Sequence, residues 1–200
     1  MRPARLTRRA GRTTGLGGFL LKPFLFLDVD GPLNVFEAAL PGPDGYQSHY
    51  LRPQSWLAQY PHLLEDDVPD LLVRLHPEHG AELLDLPFEH VWATTWEEDA
   101  NRYIGPRIGL PPLPVVNWTE PNAFSLDGTY FKTADVVRFA GGRPFAWVDD
   151  QLHDADRDYV RRHHPGPALL YDVDPSVGLT IEDFEALAQW AGELVTPTAP

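Results

Sequence analysis

Apolar residues in this chain gather into short unbroken runs, and the stretches between them place apolar residues three or four positions apart. Residues 24–27 are Phe-Leu-Phe-Leu, and segments 90–94, 113–118, 144–148 and 168–171 repeat the short apolar pattern. Runs of this length without polar alternation predict strands covered on both faces, as in a parallel sheet. Helical spacing is read over 68–75, 78–84, 97–103, 133–139 and 154–163. A last helix starts after Thr180, with Asp183 at the capping-box position and Phe184, Leu187 and Trp190 on its core face. Gly141-Gly142 ends the helix before the fourth strand. Pro41-Gly42-Pro43-Asp44-Gly45 signals a turn, followed by a short strand over 46–51. Strands alternating with helices predict a single α/β domain over 23–195, Rossmann-like and three-layered, with a central parallel sheet. Residues 32–65 are expected to form a loop or small flap.

Composition narrows this picture. The 200 residues suffice for one domain with a sizeable core, and no apolar run approaches the roughly 20 residues of a membrane helix. A net charge of −13, from 29 acidic and 16 basic residues, argues against general nucleic-acid binding. The charge is uneven. Residues 1–22 carry Arg2, Arg5, Arg8, Arg9, Arg12 and Lys22 and no acid, leaving 10 basic against 29 acidic residues for the remainder. This head is expected to be a disordered basic leader; its alternative is a nucleic-acid or targeting tail. With no cysteine there is neither a disulfide framework nor a thiolate metal site. That, with no export signal, makes the cytoplasm the expected compartment.

The candidate chemistry sits where the runs end. Residues 24–27 lead straight into Asp28-Val29-Asp30-Gly31. Carboxylates at the carboxyl end of a central strand lie where open α/β sheets place their active sites. Gly31 permits a sharp exit from the strand. Thr94-Thr95 closes the next core strand, Lys132 precedes a helix, and Asp149-Asp150 closes a later strand. Phosphoryl transfer uses such a kit: an attacking carboxylate, a second one as general acid and base, a hydroxyl and an ammonium on the phosphoryl oxygens, and further carboxylates for Mg²⁺.

These residues resemble the haloacid dehalogenase superfamily of phosphatases and phosphotransferases. Four motifs appear in the family's order: the strand ending in Asp28-Val29-Asp30-Gly31, Thr94 in Val91-Trp92-Ala93-Thr94, Lys132 in Tyr130-Phe131-Lys132-Thr133, and Trp147-Val148-Asp149-Asp150 with Asp154 beyond. The resemblance implies Asp28 as the nucleophile of an aspartyl-phosphate route and Asp30 as general acid and base, its backbone carbonyl on Mg²⁺. It gives Thr94 a phosphoryl oxygen, with Thr95 as the alternative, and lets Lys132 neutralise charge. Asp28, Asp149 and Asp150 would hold Mg²⁺, with Asp154 further out. Pro32 departs from the Thr or Val common after the glycine and stiffens the strand exit.

The function expected from this resemblance is Mg²⁺-dependent phosphomonoester hydrolysis. A non-catalytic phospho-ligand-binding or regulatory module of the same fold is the alternative. A calcium loop is disfavoured, because Pro32, Leu33 and Val35 lack the alternating oxygen ligands such a loop needs. A receiver domain is disfavoured too, since its phosphorylated Asp lies on the third strand. The short spans between motifs leave no room for a large cap. The substrate stays open between a small metabolite, a nucleotide and a nucleic-acid end. Trp96 follows Thr95 at the mouth of the site and either shapes substrate choice or packs beside the sheet. Trp92, Trp118 and Trp147 are expected in the core.

Overall fold

The computed structural model describes residues 21–120 and 128–195. The basic leader, up to residue 20, and the last five residues lie outside them. Four strands form a parallel sheet: β1 (Phe24–Leu27), β4 (Glu89–Trp92), β5 (Phe145–Asp149) and β6 (Ala168–Asp172), in the order β4-β1-β5-β6. The architecture is α/β and compatible with a Rossmann-like fold. Among the described residues, no helix is long and apolar enough to cross a membrane.

Alternation along the strands supplies two hydrophobic layers. Leu25, Leu27, Trp92, Ala146 and Val148 face one side. They pack there with Leu83 of α2 (His79–Asp85), Ile108 of α3 (Gly105–Ile108), and Phe184 and Leu187 of α6 (Ile181–Val195). Phe26, Val91, Phe145 and Trp147 face the other side, against Val136 and Ala140 of α4 (Thr133–Ala140) and Val160 of α5 (Asp154–His163). The capping pattern of the last helix is present: Thr180 donates through its backbone N–H (2.7 Å) and hydroxyl (2.9 Å) to Asp183.

Two expectations are corrected. Segment 68–75 is not helical: Leu71–Leu75 is a strand, β3, which pairs antiparallel over five residues with β2 (Gln47–Leu51). This ribbon carries the flap on to Leu75, and between its strands lies the short helix α1 (Gln54–Leu57). Segment 113–118 is only an isolated bridge, Val115 to Trp92 at the sheet edge. Pro111, Pro112 and Pro114 remove the backbone donors that a full strand needs. The helix read over 97–103 is present from residue 98, with a π-helical turn at Ala100–Ile104 that runs into α3.

The site lies at the sheet's switch point. From β1 the chain moves out to β4 on one side and returns to β5 on the other. A crevice therefore opens beyond the carboxyl ends of these three strands.

Candidate active site

Backbone pairing delivers the acids to this crevice. The Asp28 N–H still donates to the Val148 carbonyl (3.0 Å), and the Ala93 N–H to the Leu27 carbonyl (2.9 Å). The ends of β1, β4 and β5 are thereby in step. Immediately beyond, the chain closes a tight loop. Leu33 and Asn34 donate to the Val29 carbonyl, at 3.0 and 2.8 Å, and Gly31 donates to the Asn34 carbonyl at 2.9 Å. Gly31 is required there twice over. Its φ is +88°, and a Cβ on it would lie 2.6 Å from the Cβ of Asp150.

Lys132 is the electrostatic centre. Its side chain is fully buried, and Nζ donates to Oδ2 of Asp28 (2.7 Å) and Oδ2 of Asp149 (2.8 Å). It also lies over the rings of Tyr130 (5.1 Å to the centroid) and Trp118 (6.0 Å). Burial alone would lower the lysine pKa; Asp28 and Asp149 together outweigh it and hold the ammonium above its ordinary range. The second oxygen of Asp28 accepts the Val29 N–H at 2.7 Å. Asp149 also accepts from the Gln151 N–H (3.1 Å) and the Trp147 indole (3.2 Å). Burial pushes the Asp149 carboxyl upward, with Lys132 opposing.

Asp28, Asp149 and Asp150 each offer an oxygen within 4.8 Å of the others. Burial, then the charge of Asp28, pushes Asp150 up to about 6. Its Oδ1 is buried without a hydrogen-bond partner. Three carboxylates facing one lysine leave an excess of negative charge, and a buried carboxylate oxygen without a donor is costly. This donor set, all hard oxygens, fits Mg²⁺.

Asp30 stands apart from that cluster. Its Oδ1 accepts from the Asn34 amide (2.7 Å) and its Oδ2 from the Trp96 indole (2.9 Å). Burial raises its pKa, and Asp28 adds to this; Asn34 and Trp96 pull the other way. Two adjacent carboxylates thus occupy different environments, one bound to an ammonium and the other held by neutral donors.

Of the other residues singled out from sequence, Thr94 is fully buried, and its Oγ1 accepts the Trp96 N–H at 3.3 Å. Thr95 is exposed. Asp154 is not brought to the cluster, because it lies exposed on the first turn of α5. Trp118 is not core: it is half-buried, with its indole donating to the Thr94 carbonyl at 3.1 Å.

Three contributors escaped the sequence reading. Asn34 ties Asp30 to the ribbon, since its Oδ1 accepts the Arg74 N–H of β3 at 2.9 Å. Tyr130 walls Lys132. Asp156, buried in the first turn of α5, accepts from the Tyr130 N–H (2.7 Å), the Thr133 hydroxyl (2.5 Å) and the His153 N–H (2.8 Å). It clamps the segment that carries Lys132. A polar residue four positions beyond Asp30 was the available signal for Asn34; nothing in the pattern marks Asp156. Comparison of the chain with protein-family models, with curated proteins and with solved structures returned no match.

Proposed function

We propose that the protein is a haloacid dehalogenase-like, Mg²⁺-dependent phosphomonoester hydrolase that works through a phosphoryl group carried on Asp28. The observation that carries this reading is the division of labour between the two acids of the first motif. Asp28 is charge-paired to a buried lysine and belongs to a three-carboxylate cluster, whereas the Asp30 carboxyl is raised by burial and held by neutral donors. A nucleophile needs the first environment and a proton carrier the second.

In this mechanism an Asp28 oxygen attacks phosphorus and the bond to the leaving oxygen breaks. Lys132 stays charged and holds negative charge at Asp28 and the phosphoryl oxygens. Thr94 donates its hydroxyl to one of those oxygens. Asp30 delivers its proton to the leaving alkoxide. It then takes a proton from the water that opens the acyl phosphate, restoring Asp28 and releasing phosphate. Asp28, Asp149, Asp150 and the backbone carbonyl of Asp30 would hold Mg²⁺, which supplies charge neutralisation between an anionic nucleophile and an anionic substrate.

Replacing Asp30 tests this order of events. With an aryl phosphate, whose leaving group needs little protonation, Asp30→Asn is expected to slow turnover about 10²-fold or more. It should also accumulate a phosphoryl adduct on the peptide containing Asp28, visible by acid quench and peptide mass spectrometry. Unchanged turnover by Asp30→Asn would remove the assigned acid and base.

A further inference from the structure

A cavity of about 550 Å³ opens beside Asp30, with neither Lys132 nor the three-carboxylate cluster in its lining, and the mechanism so far leaves it without an occupant. We infer that this cavity receives the leaving group of the substrate, and that the group is an uncharged aromatic or heteroaromatic ring system carrying a single phosphate. The inference rests on the hydrolase reading, because it takes Asp30 as the proton donor: whatever fills a cavity lined by Asp30 is what is bonded to the oxygen Asp30 protonates.

The lining chooses the chemistry. Trp56, Trp96 and Leu71 give it apolar surface. Both indole N–H groups are already engaged, Trp96 with Asp30 (2.9 Å) and Trp56 with the Pro69 carbonyl (2.8 Å). What the two rings have left to offer is apolar ring surface, suited to stacking. Ser55, Gln59 and Thr95 supply neutral polar groups at the same cavity. Among the described residues the lining contains no cation. Arg52, on the same stretch of ribbon, is bound to Asp70 (3.2 Å) and to the carbonyls of Glu65 and Val68. The Ser55 hydroxyl donates to Asp99 (2.6 Å), whose charge is already met by Arg102 (3.5 Å). A second phosphate, or the backbone of a nucleic acid, would meet Asp30 and no lysine or arginine among the described lining residues. The volume lies in the range of sites that enclose a drug-sized ligand and exceeds what a bare phosphate or a three-carbon alcohol fills.

Steady-state kinetics on the full chain with Mg²⁺ tests this with five probes: acetyl phosphate, glycerol phosphate, 1-naphthyl phosphate, a purine nucleoside monophosphate and its diphosphate. The wild type is expected to favour the two ring monophosphates over glycerol phosphate in kcat/KM by roughly tenfold or more. It should favour the nucleoside monophosphate over its diphosphate by a similar factor. Whether the nucleoside or the simple aryl ester is preferred identifies the source of the ring. Two variants follow. Trp56→Leu should lower the ratio of 1-naphthyl to acetyl phosphate kcat/KM roughly tenfold. Gln59→Arg, at an exposed position that does not threaten folding, should raise the diphosphate-to-monophosphate ratio roughly fivefold by placing a cation in the cavity. Turnover of acetyl and glycerol phosphates with no ring preference, or a Gln59→Arg ratio equal to wild type, overturns the cavity assignment and leaves the hydrolase intact. No turnover of any probe overturns the hydrolase reading itself.

Discussion

Replacing Lys132 by methionine removes a cation that is fully buried between two carboxylates, one fully buried and the other 5 % exposed. Methionine is close in length and can pack beside Tyr130 and Trp118, so little of the expected cost is a cavity. The cost is the stranding of Asp28 and Asp149. Removing one partner of a buried ion pair typically costs about 3–5 kcal/mol. Here two anions lose a shared partner, while the Val29, Gln151 and Trp147 donors that remain soften the loss. A cost of about 4 kcal/mol, or roughly a thousandfold in the folding constant, is expected at neutral pH. The sign of its pH dependence follows from the same contacts. Without the ammonium, burial and the charge of Asp28 hold the Asp149 carboxyl above its unfolded pKa of about 3.9. The native variant then binds more protons than its unfolded chain, so its stability rises as pH falls. In the wild type, Lys132 is raised above its unfolded value, so its contribution is fully present below about pH 10 and is lost only above. The gap between the two proteins should therefore be widest near pH 8 and should narrow toward pH 5. Urea denaturation in EDTA across that range measures it. A cost below about 1 kcal/mol, or one independent of pH, would refute the placement of Lys132 between two charged acids.

Gly31→Ala should cost at least about 1–2 kcal/mol from the left-handed backbone alone. It should also abolish the rise in melting temperature on adding Mg²⁺, because the new Cβ must displace Asp150; thermal scans with and without metal test this, and an intact Mg²⁺ response would contradict the close approach. His79 is stacked on His76 at 4.7 Å and lies edge-on to Phe184, and burial pushes its imidazole down to about 4. A depressed histidine takes up its proton on unfolding, so about 3 kcal/mol present above pH 6.5 should drain away as pH falls toward 4. His79→Phe should flatten that part of the stability-pH curve measured by urea titration.

How much could be read beforehand depended on how many residues carried each signal. Strands β1, β4, β5 and β6 were legible because covering both faces of a sheet demands several consecutive apolar side chains. Their ends then fixed Asp28, Thr94 and Asp149 without further information. Residues 68–75 misled because Val68, Leu71, Leu72 and Leu75 satisfy helical spacing as well as a short apolar run. Pairing with β2, five residues in register, decided the matter, and that contact is not local. Proline counted for more than hydrophobicity over 113–118, where Pro114, with Pro111 and Pro112 just ahead, reduced an apolar segment to one bridge. Asn34 and Asp156 act through single hydrogen-bonding side chains brought in by a loop and a neighbouring helix, and no periodicity announces them. The lone partnerless oxygen of Asp150 is likewise a property of assembled neighbours.

The most direct test of the central claim is hydrolysis of an aryl phosphate by the wild type and by Asp28→Asn, each with Mg²⁺ and with EDTA. The account predicts turnover by the wild type in Mg²⁺, its loss in EDTA, and none by a folded Asp28→Asn protein under either condition. Near wild-type turnover by Asp28→Asn would contradict it.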